Sequence, residues 1–273
     1  NTMGFHVITA SGTGTIQNEY GLYVENLTKG VNKYPIYIAD NLGTCYFGAR
    51  TQINHALEVG SGYKLTKSLG HSITDLLPGI VQLKLDYNHL KALSGVKFDG
   101  YVTLLCDDKA IKKEFGEILF TDYGISGPPI LQISALASEN TFKKNKTEII
   151  VDLMPSYTLE ELEDFIECHF ALLSHRPIIN ALIGVVNKKL IPILLKESGI
   201  DNLQMPCYEL SWHEKKKLIS TLKSWKFTCT GTNDFNQAQV TVGGVNTKEI
   251  NPTTLESNIV PNLYFCGEIL RFF

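Results

Sequence analysis

Several motifs that would settle a function class are missing from this chain. There is no CxxC pair among its six cysteines, Cys45, Cys106, Cys168, Cys207, Cys229 and Cys266, and no metal-ligand spacing. Cys168 and His169 are adjacent and point to different faces of a helix. His213-Glu214 opens like HExxH, but Lys217 stands where the second histidine belongs. No metal is therefore expected, and the thiols read as reduced and buried, which fits a cytoplasmic protein. Long hydrophobic runs are lacking too. The most apolar stretch, from Ile178 to Leu195, is interrupted by Lys188-Lys189, which excludes a membrane span there. Charge is scarce and balanced, with 25 Lys and Arg against 28 Asp and Glu. That leaves no basic footprint for nucleic acid or an anionic membrane surface. Lys143-Lys144-Asn145-Lys146 and Lys215-Lys216-Lys217 are local clusters that read as a solvated loop and a solvated helix face. The expected partner is a small molecule. The GxGxxG fingerprint is also absent: Gly12-Thr13-Gly14 and Gly60-Ser61-Gly62 lack the third glycine at the required spacing.

What is present has a clear order. Gly4–Thr9, Gly21–Val24 and Tyr34–Ile38 read as strands of a meander, and the chain opens as though mid-domain. Gly60-Ser61-Gly62 leads into a short helix, Tyr63 to His71, with Leu65 and Leu69 four apart; these glycines shape either a plain turn or a backbone nest. His71 falls at the end of that helix, where it complements the dipole. From Pro78 the period shortens to strands at Ile80–Leu85, Val96–Leu105, Glu117–Thr121 and Glu148–Leu153, which predicts an antiparallel barrel or sandwich. Ser126 and Pro128 precede a helix over Ile130–Leu136 as cap and first turn. Residues 156–225 are helical, with capping boxes at Thr158/Glu161 and Ser211/Glu214. One apolar stripe runs through Leu162, Phe165, Ile166, Phe170 and Leu173, and another through Ile178, Leu182, Val185, Leu190 and Leu194. Trp212 and Trp225 are expected to pack on that subdomain, and Phe227–Thr232 returns the chain to the sheet.

The segment Gln237–Leu270 closes the fold. Ala238, Val240 and Val242 alternate as in a half-buried strand, and Gly243-Gly244 breaks it where backbone turns tightly or comes close to something else. Leu263-Tyr264-Phe265-Cys266 reads as a short buried strand of a parallel sheet, with Gly267-Glu268 at its carboxyl end, where open α/β sheets bind ligands. From the residues alone, a tight hairpin at Gly243-Gly244 and a surface acid at Glu268 stand beside any ligand role.

The wording TVGGVNTKEINPTTLESNIVPNLYFCGE resembles the closing segment of the aminoacetone-oxidase-like bacterial flavoproteins, a family of NAD(P)/FAD-dependent oxidoreductases. Two further blocks match in order, Gly62–Leu65 through Ser68–His71, and Gly116–Thr121 through Gly124–Pro128. The resemblance implies FAD, with NAD(P)H as a further cofactor, and either oxidation of a small amine such as aminoacetone or reduction of a conjugated ketone. It implies cofactor contacts at Gly243, Gly244, Gly267, Glu268, Gly60 and Gly62, with Glu268 accepting hydrogen bonds from cofactor hydroxyls. It also implies a mixed α+β or α/β fold. A partial flavin-binding domain would take residues 1–77 and 235–273, an all-β insert 78–155 and about 226–234, and a helical subdomain 156–225. Asp40–Arg50 departs from the family's Ala-Thr-Gly-Gly strand end, and the family's βαβ unit and final helix are not found. The chain therefore reads as a fragment expected to hold FAD weakly or not at all by itself. The alternative is a non-catalytic β-plus-helical interaction fragment that binds no flavin.

Overall fold

The structure, a computed structural model, describes residues 59–270. The three N-terminal strand expectations, the Asp40–Arg50 segment, Gly12-Thr13-Gly14, Cys45 and the terminal Phe272-Phe273 lie outside the described residues. The chain enters through α1, Val59–Ser68, and continues to β1, Leu77–Gly79, and β2, Leu83–Asp86. The strand expected over Ile80–Leu85 forms only from Leu83 onward, as β2, and β1 precedes it as a separate strand. The break falls at Ile80, whose φ of +47° is left-handed and incompatible with a ladder.

A one-turn helix, α2 (Leu90–Leu93), leads to β3, Lys97–Cys106, and β4, Lys109–Phe120. Asp107 and Asp108 join these strands with φ of +48° and +63°, the two-residue turn whose twist matches a hairpin. β5, Gly124–Ser126, follows, then α3, Pro128–Phe142, and β6, Thr147–Asp152. Pro128 starts α3 as expected, but Ser126 does not cap it: the position before the helix is Gly127, whose φ is +111°. The helices α4 (Leu159–Leu172), α5 (Ile178–Ala181), α6 (Ile191–Glu197) and α7 (Trp212–Lys223) come next. The chain then forms β7, Trp225–Thr232, and β8, Val240–Val242.

Six strands close into an antiparallel barrel in the order β2-β5-β4-β3-β6-β7. Closure removes the exposed edges that a short-stranded sheet would otherwise offer. Leu83, Leu104, Ile118, Phe120, Ile149 and Phe227 fill the barrel, each fully buried or nearly so. The same hydrophobic cluster continues into Ile130 and Ile133 of α3 and into Leu162, Ile166, Leu194 and Leu218 of the helices. Both capping boxes form as the sequence indicates, Thr158 with Glu161 and Ser211 with Glu214. The second apolar stripe belongs to two short helices, α5 and α6, rather than one, and Leu182, Leu190 and Leu194 are still buried. Trp225 is a core residue, whereas Trp212 is 67% exposed at the first turn of α7, with the Lys216 amine 4.4 Å above its ring.

Outside the barrel, β1 and β8 make a two-stranded antiparallel ribbon with Leu77 opposite Val242 and Gly79 opposite Val240. A second small cluster sits beside it, built on Val245, Ile250 and Phe265 with Ile73, Leu263 and Ile269 against them. The parallel strand expected over Leu263–Cys266 is not formed. Tyr264 makes a single antiparallel bridge to Glu256, Tyr264 and Cys266 are exposed, and only Phe265 is buried. Gly267–Ile269 is consequently a 3₁₀ turn rather than a loop at a sheet's carboxyl edge. The five described cysteines are unpaired, and burial pushes the Cys229 thiol up to about 11. No described helix is long and apolar enough to cross a membrane.

Candidate functional site

α1 begins at Val59, so Gly60 and Gly62 are inside its first turns and not in a turn before it. A Cβ on Gly62 would stand in ordinary contact with the Ile269 Cδ1 at 3.4 Å, so α1 lies close to the Gly267–Ile269 turn here without requiring a glycine. Among the described side chains of α1, Tyr63 and Thr66 are buried, while Leu65 is 58% exposed. Thr66 is buried at little cost because its hydroxyl donates to the Gly62 carbonyl at 2.8 Å.

Tyr63 and Glu268, 205 residues apart, meet here. The Tyr63 hydroxyl donates to the Glu268 carbonyl at 3.3 Å, and the Thr241 N–H donates to the Glu268 carboxylate at 2.8 Å. Burial, then the Glu268 charge, raises the Tyr63 phenol above its ordinary value, so it stays protonated. A cleft of about 440 Å³ opens at this point, lined by Tyr63, Leu76, Phe235, Gln239, Thr241 and Glu268. Nothing lies within 4 Å of where a Gly267 Cβ would stand, and its φ is +76°. Glu268 is exposed, and among the described residues the Thr241 N–H alone donates to its carboxylate. Such a cleft suits a polyhydroxyl segment of a dinucleotide, since a carboxylate accepts from several hydroxyls at once.

Gly243 and Gly244 are buried on the other side of the ribbon, with φ of +95° and +135°. A Cβ on Gly243 would come within 2.1 Å of the Asp75 carbonyl oxygen. The Thr74 N–H donates to the Gly244 carbonyl at 2.9 Å, and the Gly244 N–H donates to the Thr74 hydroxyl at 3.0 Å. The close approach anticipated at this glycine pair is thus made by the chain's own backbone. Gly243 opens onto a separate cleft of about 310 Å³ with Thr74, Asp75, Glu139 and Lys143. The six residues singled out in the sequence do not share one cavity: Glu268 lines one cleft and Gly243 another.

His71 is not an exposed cap at the end of α1. It is 2% exposed and its ring sits edge-on to Phe265 at 4.8 Å. Its Nδ1 is 3.2 Å from Glu249 Oε2, and its Nε2 is 2.9 Å from the Ser257 hydroxyl. The arrangement has the layout of an acid–histidine–serine relay, but Ser257 is already committed. Its oxygen accepts the N–H groups of Ile259 and Val260 at 3.0 and 2.8 Å. Both lone pairs are used, so the hydroxyl proton goes to His71 Nε2 and the Nδ1 proton to Glu249. The trio is a clamp that closes the 249–260 loop over the small cluster, and no free nucleophile is left in it.

Hydrogen bonds from the Ser72 hydroxyl and then its N–H hold the Glu249 carboxyl below its ordinary value, with His71 adding to the effect. A carboxyl with a depressed folded value contributes stability that is present above its unfolded value of 4.5 and lost as pH falls through the folded one. The Glu249→Gln variant is accordingly expected to be less stable at neutral pH and to show a flatter loss of thermal midpoint as pH falls below 4.5. Parallel acid slopes for the two proteins would show that Glu249 is not the group responsible.

Residues 77–240 match the family described as HI0933-like protein barrel and H2TH domain. The 3-dehydro-bile acid delta(4,6)-reductase of Clostridium scindens is 35% identical over 211 residues, 77% of this chain and 51% of that protein. The ribosomal RNA dihydrouridine synthase of Haemophilus influenzae is 33% identical over 183 residues, 66% of this chain and 41% of that protein. Its namesake in Escherichia coli is 29% identical over 212 residues, 77% of this chain and 49% of that protein. The chain spans about half the length of the curated relatives it matches. These relatives are a reductase and two synthases, so the resemblance stands at the level of the wider flavin-dependent oxidoreductase family and not of aminoacetone oxidase in particular. That wider family implies FAD in the complete fold. By its barrel and its helices alike, the chain belongs to the HI0933-like family.

Proposed function

We propose that this chain forms part of an FAD-dependent oxidoreductase that reduces a carbon–carbon double bond conjugated to a carbonyl in a small molecule, with NAD(P)H as reductant. The observation that carries this reading is the Tyr63–Thr241–Glu268 cleft on a chain of this family. Two kinds of named relative support the reaction type. A delta(4,6)-reductase of a 3-dehydro-bile acid and a dihydrouridine synthase both saturate such a bond in their own substrates. When bound, the flavin supplies hydride at its N5. The chain's residues have the tasks of holding and orienting it. Glu268 accepts from cofactor hydroxyls, and Thr241 and Tyr63 fix the turn that carries it. Gly60 and Gly62 stand in the first turns of α1, which packs on that turn through Tyr63, and Gly267 leaves its backbone open to the ligand. Gly243 and Gly244 shape the ribbon on the opposite side.

A small-molecule substrate is favoured over RNA by the near balance of charge in the chain, 25 Lys and Arg against 28 Asp and Glu, and by the pairing of part of each lysine cluster within it. Lys215 pairs with Glu167 at 2.9 Å and Lys146 with Asp108 at 2.8 Å. Lys143 lies 3.9 Å from Glu139. We place the protein in the cytoplasm on its unpaired thiols. Oxidation of a small amine such as aminoacetone is the second reaction that the same cofactor permits. The test mixes the FAD-loaded, full-length protein anaerobically with NAD(P)H and a conjugated enone or uridine-containing RNA, and separately, in air and without NAD(P)H, with a free amine, oxygen then being the oxidant that reoxidises the flavin. Stoichiometric saturation of the enone supports the proposal. Turnover of the amine alone, turnover of RNA alone, or a purified protein that takes up no flavin overturns it.

A further inference from the structure

His71 is a buried ionisable side chain that the flavin reading leaves without a task. It follows α1 closely, and its ring is enclosed, with Glu249, Ser257 and Phe265 against it. The hydrogen bonds around it leave one arrangement of protons. Ser257 Oγ accepts the Ile259 and Val260 N–H groups at 3.0 and 2.8 Å, which fills both of its lone pairs. Its own proton therefore points at His71 Nε2, 2.9 Å away, and that nitrogen has to be bare. A second proton on the ring has only Nε2 to go to. There it faces a hydroxyl oxygen with no lone pair to give, so the Ile259 or the Val260 N–H has to let go.

Glu249 does not cancel this effect. Its carboxylate meets the ring at Nδ1 and is itself held by the Ser72 N–H and hydroxyl. It attracts an imidazolium equally whether the 257–260 turn is closed or open. The Ser72 bonds keep its carboxyl below the ordinary value, so it stays ionised while an imidazole titrates. Other charged groups nearby in the chain are engaged elsewhere or exposed. Glu256 accepts the Asn262 N–H, Glu268 accepts the Thr241 N–H, and Lys64, Lys67 and Lys248 are exposed. The turn is joined to the Glu268 cleft through Phe265. The Phe265 N–H donates to the Leu255 carbonyl at 2.9 Å, and the Ser257 N–H to the Leu263 carbonyl at 2.7 Å. Phe265 is the one buried side chain between Leu263 and Glu268, which stands three residues on.

We propose that His71 is a proton-sensitive latch and a positioning residue for the cofactor: neutral, it closes the 257–260 turn on Phe265 and so sets the turn that carries Glu268, and a proton at Nε2 releases both. The latch stands on the hydrogen bonds alone; its effect on the cofactor rests on the flavin reading. The test takes the full-length protein, with isotope-labelled histidine, from about pH 8 to 5, the span over which an imidazole changes charge. Ring-nitrogen NMR should show His71 protonated at Nδ1 and bare at Nε2 at the alkaline end. Protection of the Ile259 and Val260 amides against hydrogen exchange, corrected for intrinsic rates, should fall about three- to tenfold on acidification, the effect of one net hydrogen bond. In His71→Gln the amide still donates to Glu249 and accepts from Ser257 but takes up no proton, so this protection should not change with pH. FAD affinity should fall in step in the wild type and stay level in His71→Gln. A ring protonated at Nε2 at the alkaline end, or amide protection that responds to pH in neither protein or equally in both, overturns the latch. The two wild-type measurements decide it even where His71→Gln fails to fold. The same pH response of FAD affinity in both proteins overturns the positioning role. A protein that takes up no FAD at any pH overturns the flavin reading, and the exchange data still decide the latch.

Discussion

Gly243→Ala is expected to destabilise the protein by about 3–5 kcal/mol, the sum of a left-handed backbone penalty and an overpacked contact. The added methyl would stand 2.1 Å from the Asp75 carbonyl oxygen, which is backbone and cannot swing aside. Relief requires the 74–75 segment to move, which breaks the paired hydrogen bonds between Thr74 and Gly244. Gly267→Ala is the control. Gly267 also has a left-handed φ, but open space lies where its methyl would go. It should cost about 1 kcal/mol, from conformation alone. Urea midpoints of the two variants decide the matter. Equal costs would mean that the Gly243–Asp75 contact is not a constraint on the fold.

Lys223→Met is expected to cost about 3 kcal/mol. The Lys223 amine donates to Asp152 Oδ2 at 2.6 Å and to the Met154 and Tyr157 carbonyls at 3.0 and 2.7 Å. These bonds tie the last turn of α7 to the end of β6 and the lead into α4. Lys223 and Asp152 side chains are only 17% and 14% exposed. Methionine keeps the aliphatic stem but leaves the half-buried Asp152 carboxylate with the Met154 N–H and no counter-charge, and takes the lysine donor from the Met154 and Tyr157 carbonyls. Asp152→Asn combined with Lys223→Met should therefore cost less than the sum of the single changes. Strict additivity in the double variant would remove the ion pair from the account of how barrel and helices are joined.

The parts of this fold that could be read in advance are those whose physics is local. Thr158/Glu161 and Ser211/Glu214 satisfy orphan N–H groups three residues away, so their spacing is visible in the chain. The barrel strands show their alternation, and the Asp107-Asp108 turn its own signal. The site is another matter. Tyr63 and Glu268 are 205 residues apart, and His71 and Ser257 are 186 apart, so no window could pair them. The apolar spacing of Leu65 and Leu69 misdirected the reading of α1. A threonine that satisfies itself on the Gly62 carbonyl is buried instead. Ile80 hid the break between β1 and β2, because a β-branched residue is the last expected at a left-handed position. Leu263–Cys266 has the composition of a buried strand, but a strand also needs neighbours, and Tyr264 has a single bridge partner.

The assignment of the ribbon cleft to the flavin is tested most directly by titrating FAD into the full-length apoprotein and its Glu268 variants. The Glu268 carboxylate, positioned by the Thr241 N–H at 2.8 Å, would accept from cofactor hydroxyls. Hydrogen bonds to charged groups contribute roughly 1.5–3 kcal/mol, so Glu268→Ala should weaken FAD binding by about 10- to 150-fold. Glu268→Gln should lose less, since its amide oxygen still accepts. Affinities within about twofold across all three proteins, the behaviour of an exposed acid with no partner, would contradict the assignment.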